Sequence, residues 1–179
     1  MDRWLLNLSV FAALIGASPA VAQNHNRQFE GTWIWDRDLY VPAPNARYTN
    51  PMVAETMSVE RDDGSHYKGS IVQVFSDGRK SRLSEEFAED GRFYPIVSAP
   101  WMGQVGIVEL PDGGRRVFVR FSGGMHDTRC HVSADGDTMT CHGIETKADG
   151  SVGADVCVYH RDPRGVPVAS SGREEAVLF

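Results

Sequence analysis

Three cysteines, Cys130, Cys141 and Cys157, are the residues readiest for covalent chemistry. A two-residue turn at Asp135-Gly136 places Cys130 opposite Cys141, and Val132 opposite Met139, on one face of a hairpin. Opposed Cα atoms in an antiparallel pair lie about 4.5–5.5 Å apart, inside disulfide range. A three-residue turn at 148–150 would instead align Cys141 with Cys157. Cys130–Cys141 is the preferred bridge and Cys141–Cys157 the rival. The thiol left over is read as inert, and the spacing is not that of a zinc site. In the preferred register His126 faces Glu145, with Asp127 adjacent. A His–carboxylate pair can do general acid–base work near neutral pH, with Tyr159 a further proton donor; the plainer reading is a cross-strand ion pair. A metal held by His126, His131 and His142 would need ligands on both faces, so no metal is expected. There is no phosphate loop, nucleophile elbow, serine triad or paired glycosidase carboxylates, and no cofactor is expected.

These side chains have to be positioned by a sheet. Asp-Gly pairs at 63–64, 77–78, 90–91, 112–113, 135–136 and 149–150 read as tight turns, since Gly accepts positive φ and Asp tolerates it. With further breaks at 99–103 and 122–124, turns recur about every 9–14 residues, the spacing of an all-β barrel or sandwich. Between them Val117, Val119 and Phe121 alternate with Arg116, Phe118 and Arg120, and no window carries a helical apolar stripe. The expected strands are 29–36, 54–62, 66–75, 79–88, 92–98, 104–111, 115–122, 126–133, 138–147 and 153–160. Joined in sequence order they make an antiparallel up-and-down meander, and closing it into a barrel of 8–10 strands removes both edges. Residues 37–53, with Pro42, Pro44 and Pro51, read as a link over one barrel end, either a lid or a packed loop.

The first 22 residues have the form of an export signal: Arg3, an apolar run from Trp4 to Ala17, and Ala20-Val21-Ala22 before the cut. The expected organisation is a signal peptide (1–22), a barrel domain (23–160) and a poorly ordered tail (161–179), in a periplasmic or secreted protein. No segment after the signal reads as membrane-spanning. The chain carries 24 Asp+Glu against 18 Lys+Arg and no basic block, which argues against nucleic acid as a partner.

Four motifs in order, Phe29-Glu30-Gly31-Thr32-Trp33, Asp90-Gly91-Arg92-Phe93-Tyr94-Pro95-Ile96, Val132 to Thr140, and Val156-Cys157-Val158-Tyr159, give residues 29–160 a resemblance to small exported bacterial lipocalin-like proteins of uncharacterised function. The resemblance implies a lipocalin-like barrel, with Trp33 plugging its floor and Arg161 as the basic residue after the last strand that covers it. It implies no reaction. The expected function is the binding of a small apolar or aromatic molecule, lined by Trp35, Tyr94 and Trp101, with Arg120 holding a carboxylate if the ligand has one. The alternatives are a cofactor-independent isomerase, lyase or cyclase using His126, Glu145 and Tyr159, and a packed barrel with a structural or interaction role.

Overall fold

Period-two alternation between Asp-Gly turns becomes ten antiparallel strands in the computed structural model, which describes residues 27–43, 51–98 and 101–165. They are β1 (Gly31–Trp35), β2 (Met52–Asp62), β3 (His66–Phe75), β4 (Lys80–Ala88), β5 (Tyr94–Ser98), β6 (Trp101–Glu109), β7 (Arg115–Phe121), β8 (Gly124–Val132), β9 (Thr138–Lys147) and β10 (Val152–Arg161). The expected antiparallel up-and-down barrel forms. β1 pairs with β10, so the two ends of the meander meet.

The seam falls elsewhere. The hydrogen-bonded order runs β4-β3-β2-β1-β10-β9-β8-β7-β6-β5, which leaves β4 and β5 side by side without a ladder between them. Asp90-Gly91 is therefore not a hairpin turn. The Gly91 N–H donates to the Ile107 carbonyl, and the Asp90 carboxylate takes the Arg92 N–H and the Tyr94 hydroxyl. These bonds carry the chain away from β4 and onto β6. The break expected at 99–103 is also shorter. β6 begins at Trp101, and Gly103 lies where a Cβ would collide with the Arg120 carbonyl. The signal segment, residues 44–50 of the proline-rich link and most of the tail lie outside the described residues. The described part of the link bridges Val41 to Val156 of β10 and packs Tyr40 edge-on against Trp35, with ring centroids 5.3 Å apart.

One end of the barrel is plugged. A 3-10 turn, Arg27–Phe29, precedes β1, and Trp33 is fully buried beneath it, donating its Nε1–H to the Phe29 carbonyl at 2.8 Å. The Arg161 guanidinium lies 4.2 Å from the Trp33 ring centroid. It also donates to the Gly136 and Gln28 carbonyls at 2.6 Å each, tying the 3-10 turn to the β8–β9 hairpin. This explains Gly31. Its φ is 125°, and a side chain there would meet Arg161 Nη1 at 2.5 Å. With Phe29 and Trp33 of the plug, the core comprises Trp35, Val59, Tyr67, Phe87, Ile96, Val105, Ile107, Met139, Tyr159 and the bridged Cys130 and Cys141.

A buried ionic cluster lies beside the plug. Arg115 is 6% exposed and ion-pairs with Asp62, and Glu89 stands 3.9 Å away. The guanidinium is flanked by the rings of Phe29, at 4.4 Å, and Tyr67, at 5.4 Å. Burial pushes its pKa down to about 9, still well above neutral, so it is a cation at pH 7. A void of about 10 Å³ beside it, room for about one water, is lined by Phe29, Asp62, Glu89, Glu109 and Arg115.

Candidate functional site

The strand registers decide which side chains face the lumen. Inward rows run through Trp33 and Trp35 on β1, Glu55 to Val59 on β2, Tyr67 to Gln73 on β3, and Ser81 to Phe87 on β4. They continue through Arg115 to Phe121 on β7, His126 to Cys130 on β8, Met139 to Glu145 on β9, and Asp155 to Tyr159 on β10. The expected pairing holds on the hairpin: His126 lies opposite Glu145, and Cys130 opposite Cys141 with a disulfide between them. The rival alignment holds as well, because Cys141 is also opposite Cys157. Three cysteines thus stand in one inward row across β8, β9 and β10. Cys157 keeps a free thiol, pushed up to about 12 by burial and then by the nearby carboxylates of Asp155 and Glu55.

His126 faces inward, but its bonded partner is not Glu145. Nε2 lies 3.3 Å from Asp155 Oδ1 on β10, two strands away, and Nδ1 is 3.2 Å from the Thr128 hydroxyl. The contact passes over Gly143 of β9, where an added Cβ would fall on both Asp155 Oδ1 and His126 Nε2. A mid-strand glycine often marks such a close approach, and Gly143 is the signal that sequence reading passed over. Asp155 draws the imidazole pKa upward against the opposing effect of burial, with Glu145 and Asp127 adding smaller attractions. Gly143→Ala is expected to push the two side chains apart and return His126 toward its ordinary pKa. An NMR titration of the imidazole protons measures this; an unchanged pKa would show that the contact does not govern the ring.

Tyr159, 9% exposed, donates its hydroxyl to Glu55 Oε1 at 2.7 Å, and Gln73 donates to Glu55 Oε2 at 2.7 Å. Trp35 faces inward at 7% exposure, and its Nε1–H has no hydrogen-bond partner among the described residues. Tyr94 is half-buried and stacks on Phe87 at 5.4 Å, which in turn lies 5.3 Å from Tyr67. The side chain of Trp101 lies outside the described residues. Arg120 is exposed on the outer face, its guanidinium 4.2 Å from the Phe93 ring. The expectation that Arg120 holds a carboxylate inside the barrel fails on this point. Alternation fixes two faces of a strand, and here the row containing Val117 and Val119 is the inner one.

The inward row of β4 supplies a group that charge-rich sequence concealed. Glu85 lies opposite Gly69 between Leu83 and Phe87, and burial alone raises its carboxyl pKa to about 7. Among the described residues it makes no hydrogen bond or ion pair. Glu85 and His126 therefore both hold protons more tightly folded than unfolded. Stability contributed by Glu85 is present near pH 4.5 and lost as pH rises through about 7. That of His126 is present below about 6.5 and lost as pH rises through its elevated pKa. Thermal melts should give a higher Tm near pH 5.5 than near pH 8. Glu85→Gln should flatten the profile, and a Tm that rises with pH across this window would contradict the assignment.

An outer groove of 190 Å³ over β2, β3 and β4 is lined by Glu60, Lys68, Arg82, Glu85 and Glu86, with Lys68 and Glu60 paired at 3.1 Å.

Fold and site together define a ten-stranded antiparallel barrel with one end plugged and polar groups on its inner face. Among solved structures it is similar to the S-type phycobiliprotein lyase of Guillardia theta, at 11% identity and a TM-score of 0.44, covering 76% of this chain and 89% of that one. It is also similar to zebrafish ileal bile acid-binding protein complexed with cholic acid, at 9% identity and a TM-score of 0.43, covering 75% of this chain and 99% of that one. No family model matches the chain, and no curated protein does.

Proposed function

We propose that this chain is an exported binding protein, periplasmic or secreted, that takes a small apolar or aromatic molecule into its barrel. One observation carries the reading. Met57, Ile71, Leu83, Val117 and Val119 belong to inward rows and yet are only partly buried. Apolar side chains that face a lumen and still meet solvent line a space their neighbours do not fill. Export is supported by the Ala20-Val21-Ala22 cut site and by the disulfide, a bond that persists in oxidising compartments. Titration with the neutral dye Nile red tests the binding reading. A saturable, one-to-one fluorescence rise with a blue shift is expected, and no binding would leave the packed-barrel role standing. Intact mass of the mature protein should begin at Gln23.

A second reading is favoured by the inward His126–Asp155 pair: a cofactor-independent isomerase, lyase or cyclase. His126 would move the proton, Asp155 would hold its ring, and Tyr159 and Glu145 would serve as further acid–base groups. His126→Asn separates the two readings, since a binding protein keeps its ligand affinity and an enzyme loses turnover of the bound molecule.

A further inference from the structure

We propose that the outer wall formed by β8, β9 and β10 at the unplugged end, together with Val41 of the link, is a docking surface for a membrane rich in anionic lipid. The inference stands apart from the lumen-binding reading above. Among the described residues, the large apolar side chains left exposed are Ile34, Leu39, Val41, Met125, Ile144 and Val152. They belong to β1, the link and β8 to β10, and none lies on β2 to β7. Single apolar residues scattered over a surface are ordinary, but a contiguous patch on one side marks an interaction site.

Strand register makes the patch contiguous. Met125 of β8 faces Thr146 of β9, and Thr146 faces Val152 of β10. One row along, Ile144 faces Ala154, which is also exposed. Val41 bridges Val156, the next outward residue of β10. Neighbouring strands lie about 4.8 Å apart and outward residues along one strand about 7 Å apart, so these side chains adjoin. Gly136, at the other end of the β8–β9 hairpin, is tied to the plug through Arg161, so Met125 and Val152 stand beside the unplugged rim.

The charge on this wall says what covers it. The outward positions of β7 to β10 carry Arg116, Arg120 and Arg129 against a single carboxylate, Asp127, which Arg116 already holds with two hydrogen bonds. Arg120 faces Met125, and Arg116 faces Arg129. Like charges set opposite each other in a sheet are unfavourable, and an external anion relieves them. Arg120 and Arg129 are exposed and form no ion pair among the described residues. The local sign is thus opposite to the formal charge of the whole chain, -6. A second copy docked by the same wall would set arginine against arginine. The far wall also has cations, Lys80 and Arg82, but no exposed large apolar side chain accompanies them. A convex barrel wall offers a peptide no cleft, whereas a bilayer surface yields around it. The aliphatic side chains then enter the headgroup layer, and the guanidinium groups meet lipid phosphates.

Co-sedimentation with lipid vesicles tests the proposal. The natural protein should pellet with mixed phosphatidylglycerol–phosphatidylcholine vesicles and stay in solution with phosphatidylcholine alone. Each basic residue at an anionic bilayer is worth about fivefold in affinity, so Arg120→Gln with Arg129→Gln should weaken binding about 25-fold. Ile144→Thr with Val152→Thr keeps the strand preference, removes apolar contact and should weaken binding about tenfold. Lys80→Gln with Arg82→Gln, on the far wall and beyond the ~8 Å screening length, should leave binding within about twofold. Equal pelleting with both vesicle types, or pelleting with neither, overturns the proposal on the natural protein, with no variant needed. An equal loss from the two charge-removing pairs overturns the assignment to this wall. A dimer in sedimentation velocity that Ile144→Thr with Val152→Thr abolishes would give the wall to a second copy, and the proposal would fall.

Discussion

Arg115→Ala is expected to destabilise the barrel by about 3–5 kcal/mol, the usual cost of removing one partner from a buried ion pair. The wild-type cluster holds two carboxylates, Asp62 and Glu89, against one guanidinium, with Asp62 5% and Glu89 7% exposed. Without Arg115, Asp62 must stay charged in a medium that cannot solvate it, or take up a proton. The variant also loses the stem that fills the space between the Phe29 and Tyr67 rings. At roughly 2–4 °C per kcal/mol, the Tm should fall by about 10 °C. Adding Asp62→Asn to Arg115→Met should recover part of the loss, because it removes a stranded charge. Differential scanning calorimetry of the two variants decides the matter. A fall of less than about 3 °C for Arg115→Ala would mean that water already reaches the cluster and screens it.

Cys141→Ser should cost about 3 kcal/mol, while Cys130→Ser should cost much less. The difference comes from register. Cys141 stands opposite Cys130 on one side and Cys157 on the other, so it belongs to every bridge this row can make. Removing it forfeits the cross-link, and closing a loop of about this length in the unfolded chain is worth about 3 kcal/mol. Removing Cys130 leaves Cys141 free to pair with Cys157 during oxidative folding and to restore a loop of similar size. In the natural protein that exchange is slow, because the Cys157 thiol, pushed up to about 12, supplies little thiolate to attack the existing bridge. Non-reducing peptide mapping should find Cys141 joined to Cys157 in Cys130→Ser, and one free thiol in the natural protein. Two free thiols in Cys130→Ser would show that the strand alignment does not bring Cys157 within bonding reach.

Legibility followed the range of the interaction. Ten strands were readable, several to within a residue or two at each end, because alternation and Asp-Gly turns are local signals that tertiary packing had no reason to override. The β8–β9 register was readable because a two-residue turn at Asp135-Gly136 leaves no slack between hairpin partners. The Trp33 plug was carried by resemblance, and the cover from Arg161 has its counterpart in Gly31, whose missing side chain makes the room. The candidate site was less legible. His126 was found, but its partner Asp155 sits on a strand two places away, and hairpin arithmetic reaches only the neighbouring one. Glu85 was hidden in a charged stretch whose odd positions turn inward, and Arg115 was lost at the end of a strand counted from Val117.

By itself, then, the sequence determined the all-β class, most strand and turn positions and the alignment of Cys130 with Cys141, all consequences of backbone periodicity and turn length. Tertiary structure alone decided which face is inside, and with it the sign of charge in the lumen. A strand's two faces are equivalent until the sheet curls. Curling put Val117 and Val119 inward and Arg120 outward, and it turned Glu55, Glu85, Glu145 and Asp155 of four strands to the inner face. It also decided where the barrel stays open. Hydrogen bonds from Asp90 and Gly91 commit the chain to β6, and no local signal marks a turn that declines to close a hairpin.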